Sequence, residues 1–342
     1  LGFGHAATLL YLDIAGARRN VELLDESVAG LERAVEAGPH DVPLVLDGYI
    51  ARADLSGLRS GLQAFVHYQQ GLASLRAGQV DWGEQSFSAI PEKSQYHVRA
   101  RYARAILSLS RGARSQGAKV LRELVDQPDV PADVLLDARL ALARLAMERG
   151  AHAQAVRLYA RVRQLAPTRP ELLLEMAWAH YYLGDSRRAL GLLVALDAPV
   201  YAGIIAPERY LLEALALRRL CQFEPARTAA VRLRARHGLA LDDLHRGVAP
   251  DASDAVRAGA RELGGARPVW RLWNRLSSER AAIESQPFSG ALRERLTKVY
   301  QRGLAQTEQR LERALEFSSR ALAEELLQAE AGLDIAPDLC FQ

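Results

Sequence analysis

The chain is poor in lysine: of its 44 basic residues only Lys93, Lys119 and Lys298 are not arginine. A guanidinium surplus suits bidentate anion recognition, but arginine replaces lysine along the whole chain, which is the mark of codon usage in a high-GC genome. Cysteine is almost absent. Cys221 and Cys340 lie far apart without a CxxC spacing, so neither a disulfide framework nor a thiolate zinc site is indicated, and a single bridge is left open. No stretch approaches the roughly 18 consecutive apolar residues of a membrane helix, so no transmembrane segment is expected. Charge of one sign is also lacking. The formal excess is only +3, from 44 basic and 41 acidic residues, so a pI of 8.9 gives no ground for a nucleic-acid partner.

Catalytic signatures are missing as well. HExxH, GxSxG, the P-loop motif and GxGxxG do not occur, and the eight histidines are scattered without metal-ligand spacing. His180 falls on a repeat helix, where a satisfied interhelical histidine is the expected state. Asp and Glu fall on solvated helix faces. No catalytic residue, cofactor or metal is expected, and the chain reads as a non-enzyme.

What is present is a core and a rhythm. With 342 residues and 49% apolar side chains, the chain can form two ordinary domains or one extended solenoid. It begins at Leu1 rather than methionine, which is the pattern expected of a processed or truncated product; residues 337–342 read as a tail. From Leu136 to Gly203 two helical hairpins follow each other with the same punctuation. Ala143, Gly150 and Ala155 recur 34 residues later as Ala177, Gly184 and Ala189. Pro167 closes the first hairpin and Pro170 opens the second, as suits proline at a helix start.

A helix-turn-helix unit with a period near 34 resembles the tetratricopeptide repeat. The segments that carry the likeness are Ala141–Pro167 and Glu175–Leu196. Upstream, Gly71, Gly78 and Gly83, then Ala105, Gly112 and Gly117, take the same positions in units at 64–97 and 98–131. Four extra residues follow Pro131. A fifth unit, Pro207–Leu233, places Ala214, Cys221 and Ala226 there, with cysteine where the turn glycine stands elsewhere. The resemblance implies an all-α, right-handed superhelical solenoid of helical hairpins. The expected organisation is degenerate N-terminal helices over 1–63, the solenoid over 64–245 and a helical C-terminal region over 246–342. N-terminal helices are predicted at His5–Ala17, Val21–Ala37 and Asp41–Ala53.

The C-terminal region carries a long helix at about 289–331, with Ser289 as its N-cap. Tyr300 and Leu304, Leu311 and Leu315, and Leu322 and Leu326 recur at steps of 11, which keeps one apolar stripe on a nearly straight helix. Such a stripe needs a continuous partner: the solenoid itself, or another chain through self-assembly.

In the tetratricopeptide family the first helix of each unit lines the concave groove. By that register the partner-binding candidates are Tyr68, Arg99, Tyr102, Arg144, Trp178, Tyr181, Tyr182, Arg218 and Arg219; Glu208 and Leu211 take groove positions in the fifth unit. Aromatic and arginine side chains favour binding hot spots. Tyr181 and Tyr182 are about 100° apart on a helix, so they cannot both face inward. The lysine and asparagine clamp by which some relatives hold a C-terminal carboxylate is missing, since its positions hold Tyr68, Tyr102, Leu140, Leu174 and Leu211, and Leu72, Ile106, Arg144, Trp178 and Leu215. The run Arg99–Arg122 has seven basic residues and no acid, opposite an acidic stretch over Glu22–Asp54, a dipole able to steer a partner.

The expectation is a scaffold that holds a protein or peptide in its groove. Trp178–Pro199 and Tyr210–Ala226 also resemble segments of bacterial cell-envelope repeat proteins of the gliding-motility type. That likeness implies a periplasmic or membrane-associated assembly, with the cytoplasm as the alternative. The rival function is a ligand-responsive regulatory sensor in which binding shifts the C-terminal helix.

Overall fold

A computed structural model describes residues 5–17, 21–37, 46, 50, 57–167, 169–201 and 206–335. Of the helix expected over Asp41–Ala53 only Leu46 and Ile50 are among them, and the tail with Cys340 lies outside them. The described residues are helical or connecting, with no strand among them. They form two compact units, Leu1–Val134 with Pro268–Glu312, and Leu135–Arg267 with Arg313–Gln342. Each unit joins repeat helices to part of the C-terminal region.

In the first unit α1 is Ala6–Ala17, α2 Val21–Ala37, α3 Ser60–Arg76, α4 Val80–Ser88, α5 His97–Ser110 and α6 Arg114–Asp126. Helix α7, Ala132–Glu148, starts here and runs on into the second unit, which continues with α8 His152–Leu165, α9 Pro170–Tyr182 and α10 Ser186–Ala195. It adds α11 Glu208–Arg219, α12 Phe223–His245 and α13 Asp254–Glu262, with α14 at Arg267–Ile283 and α15 at Gly290–Ile335. The hairpins α3–α4, α5–α6, α7–α8, α9–α10 and α11–α12 are the five units that the sequence rhythm predicts.

The turn of every hairpin is left-handed. Gly78, Gly112, Gly150 and Gly184 have φ of +73°, +82°, +71° and +89°, and Cys221 takes the same turn at +57°. The hydrogen bonds repeat with it. Gly184 N–H donates to the Tyr181 carbonyl and Asp185 N–H to that of His180, at 3.0 and 2.9 Å, the pattern of a Schellman helix end. The small positions sit where backbones meet: Ala143, Ala155, Ala177 and Ala189 are wholly buried. A side chain at Gly117 would press within 2.8 Å of the Ala105 carbonyl oxygen on the facing helix. Pro170 occupies the first turn of α9, as its missing N–H allows.

In the second unit the core runs from Leu136 through Tyr159, Met176 and Leu193 to Leu212. In the first, one core joins Val28, Phe65, Phe87, Tyr96 and Leu107. A separate one joins Ala6 and Leu9 of α1 to Leu272 and Leu276 of α14 and to Leu296 and Tyr300 of α15. Helix α15 is 46 residues long, and Ser289 caps it by accepting from the Leu292 N–H at 3.4 Å. Its 11-residue stripe is buried within the chain: Tyr300, Leu311, Leu315, Leu322 and Leu326 are each at most 5% exposed.

Candidate functional site

The nine candidate residues do not gather in one place. Tyr68, Arg99 and Tyr102 belong to the first unit, and the other six to the second. Tyr68 turns into the core of its unit, stacked on Tyr96 at 5.5 Å and tilted against Phe87 at 6.0 Å. Arg99 reaches Asp133 at 3.2 Å, and Tyr102 is half-buried on α5.

The basic run of the first unit is matched by acids that the run itself does not contain. Arg101 pairs with Glu123, Arg104 with Glu84 at 2.7 Å, Arg111 with Asp81, and Lys119 with Glu123. These partners stand on α4 and α6, beside α5 in space. The field expected of Arg99–Arg122 is therefore largely cancelled at short range, which weakens its steering role.

In the second unit α9 gathers the aromatic residues. Three helical turns place Glu171, Glu175, Trp178 and Tyr182 along one side. The Tyr182 ring lies between His152 and Trp178, stacked on both at 5.1 and 5.5 Å with interplanar angles of 18° and 22°. Tyr181 meets Trp178 edge-on at 5.8 Å. Tyr182 is 53% exposed, whereas Tyr181 and Trp178 are half-buried. The Arg219 guanidinium lies 3.9 Å over the Tyr181 ring and donates to the Tyr181 carbonyl, a cation–π contact in the edge of the column. Arg218 is half-buried on the adjoining turn of α11.

Below the column the chemistry is acidic. Arg144 of α7 grips Glu175 through two hydrogen bonds of 2.6 and 3.0 Å, and the Tyr159 hydroxyl donates to the same carboxylate at 2.9 Å. Burial, and then the Glu175 charge, push the Tyr159 hydroxyl above its ordinary range. Burial also pushes the Glu208 carboxyl up; the Trp178 indole N–H draws it back and the Glu175 charge adds to the rise. His180, on the opposite side of α9, is buried and held below the usual imidazole range by desolvation, with Asp185 at 3.7 Å opposing. It is buried as its position predicts, but its Nδ1 has no hydrogen-bond partner, so it is not the satisfied interhelical histidine expected there.

Register alone places Trp178, Tyr181, Tyr182, Arg144 and Arg219 near one another, and the structure brings them together. It also adds His152 and Glu175, which the groove register omits. His152 opens the second helix of its hairpin, and its ring meets α9 only through packing of successive repeats. Among the described residues no three His, Cys, Asp or Glu side chains are placed to hold a metal ion, and no helix is long and apolar enough to cross a membrane.

No protein-family model and no curated protein matches the chain. Solved structures do. A MamA mutant is 17% identical with a TM-score of 0.40, the match covering 54% of this chain and 94% of that one. The C-terminal part of a TPR repeat-containing protein from Cytophaga hutchinsonii is 14% identical with a TM-score of 0.41, over 81% and 93% of the two chains. A tetratricopeptide repeat protein from Parabacteroides merdae is 13% identical with a TM-score of 0.41, over 70% and 100%. The chain is similar to these tetratricopeptide repeat proteins in its array of helical hairpins.

Proposed function

We propose that the chain is a non-enzymatic scaffold that holds a protein or peptide partner on the aromatic face of α9. One observation carries this reading: Tyr182 is more than half exposed while its ring is fixed between His152 and Trp178. An aromatic side chain held in one rotamer and open to water offers contact area without the entropy cost of ordering it on binding. Arg219, resting on Tyr181 beside it, supplies a donor-rich rim of the kind found at hot spots.

The wider setting is proposed as a bacterial cell-envelope assembly, periplasmic or membrane-associated, on the strength of the likeness of Trp178–Pro199 and Tyr210–Ala226. Cell fractionation tests it, and an exclusively cytoplasmic chain would refute it. Self-assembly through α15 would use its outward face, where Phe317 is 76% exposed, because the inner stripe is already covered.

The experiment is affinity capture with the wild-type chain and with Tyr182→Ala combined with Arg219→Ala. Both side chains are exposed, so far-UV circular dichroism should be unchanged while the specific partner is lost. Equal capture by both chains would refute the assignment of this face.

A further inference from the structure

Helix α12 runs for 23 residues, against 9 to 14 in the second helices of the other four hairpins. Its inward side chains Ala229, Leu233, Ala240 and Leu241 are buried, as a repeat helix requires. Its outward side is apolar as well. At 78% Leu239 is the most exposed large apolar side chain among the described residues, and Val231 is 67% exposed. Val231, Ala235 and Leu239 stand four residues apart, so they form one stripe. The exposed Val194 of α10 adjoins it, because Asp197 just past that helix pairs with Arg232 at 3.1 Å.

Beside the stripe, α12 and α13 leave a cleft of about 610 Å³, lined by Ala235, Gly238, Leu239, Ala255, Ala258 and Leu263. Helix α15 closes its back, where a Cβ at Gly259 would lie 2.8 Å from Leu322 Cδ2. A Cβ added to Gly238 meets nothing within 4 Å, so another backbone can approach closely there. Each chain thus carries a protruding leucine and, next to it, a recess for one.

Charge says what fits. Arg234 and Asp242 flank Gly238, four residues before it and four after, both about half-exposed and paired at 2.9 Å. Two antiparallel copies of α12 related by a two-fold axis at Gly238 set each Arg234 opposite the partner's Asp242, twice per interface. A shift of one helical turn sets Arg234 against the partner's Arg246, and the opposite shift leaves it against Gly238.

We infer that the outer face of α12 and the α12–α13 cleft form a homodimer interface. A second copy of this chain lies antiparallel across Gly238, seats its Leu239 in the cleft and exchanges the Arg234–Asp242 pairs between the chains, while Arg234 keeps Glu330 at 3.0 Å. The apolar stripe supplies the contact, and the charges fix its register. This surface is separate from the aromatic face of α9, so the dimer stands or falls independently of partner capture.

A contact built on one helix pair falls toward the low end of specific interfaces, about 1,200 Å², so a weak dimer is expected. Sedimentation velocity over about 1–100 μM should show the full wild-type chain passing from monomer to dimer. Leu239→Arg should raise the dissociation constant at least ten-fold with far-UV circular dichroism unchanged. Arg234→Asp and Asp242→Arg should each be monomeric over that range, because each sets like charges together. An equimolar mixture of the two should recover a heterodimer, in which both facing pairs are again opposite in sign.

Disulfide trapping gives a second readout that does not depend on those variants folding well. In a chain with Cys221→Ser and Cys340→Ser, Gly238→Cys should give a covalent dimer under mild oxidation. Thr228→Cys, on the same face but away from the axis, should not. A wild-type chain that stays monomeric, a dimer indifferent to Leu239→Arg, or equal cross-linking at 228 and 238 would each overturn the inference. A dimer lost only through Phe317→Arg would overturn it in favour of the outward face of α15.

Discussion

Gly184 and Cys221 make the same left-handed turn in consecutive repeats, with φ of +89° and +57° and N–H donation to the third preceding carbonyl in both. A left-handed residue with a Cβ costs roughly 1–2 kcal/mol, and glycine gives back about 0.5–1 kcal/mol of that in unfolded-state freedom. Cys221→Gly should therefore stabilise the second unit by about 0.5–1 kcal/mol, read as a higher urea midpoint at unchanged m. Gly184→Ala should lower the midpoint. If Cys221→Gly gave no gain, the turn at 221 would have to relax without cost.

Gly117 and Gly191 are both helical glycines, and they should respond in opposite directions to alanine. At Gly117 the added carbon meets the Ala105 carbonyl at 2.8 Å, and a backbone atom cannot swing away. Gly117→Ala should cost about 1–3 kcal/mol. At Gly191 nothing lies within 4 Å, so Gly191→Ala should add about 0.5–1 kcal/mol from helix propensity alone. Thermal denaturation of the two variants checks both signs at once.

These two comparisons mark what can be read from sequence. The turn and small positions are local requirements imposed once per period, so Gly150, Gly184 and even Cys221 declare themselves by spacing. The 11-residue stripe of α15 is legible for the same reason. Its partner is not, because α14 and α1 cover Tyr300 while α13 covers Leu322, and no period relates them. The basic run misleads in the same way: Asp81, Glu84 and Glu123 neutralise it from adjoining turns and helices, outside the window that made it look bare. His152 beside Tyr182 likewise arises only when one hairpin packs on the next.

Glu175 has two partners, which should be separable. Tyr159→Phe removes only the hydroxyl and leaves the Arg144 fork in place. A cost of about 1 kcal/mol is expected, with no change in partner capture. Arg144→Met leaves the carboxylate on Tyr159 alone and beside Glu208, so it should cost more than Tyr159→Phe at neutral pH. Adding Glu175→Gln to Arg144→Met should recover part of the loss, and a double-mutant cycle measures the coupling.

His237 gives the second unit a defined acid sensitivity. Burial, reinforced by the Arg236 charge, lowers its imidazole from 6.5 to about 4, and its ring stands edge-on to Tyr210 at 6.4 Å. Between those values the unfolded chain binds a proton that the folded chain refuses, so stability must rise with pH there. The contribution is complete above pH 6.5 and is lost as pH falls toward 4. The full displacement corresponds to about 3 kcal/mol, and partial solvation of the ring reduces this to about 1–2 kcal/mol. Glu208 and Glu325 act in the other direction: their carboxyls are raised, so their contribution is present in acid and lost as pH rises. A pH profile of the wild type alone therefore mixes opposite slopes. The difference between wild type and His237→Gln isolates the imidazole, since the glutamates are common to both. Urea midpoints at pH 4.5, 5.5 and 7.5 should show His237→Gln gaining on the wild type toward acid, and a constant difference across that range would remove His237 as the source.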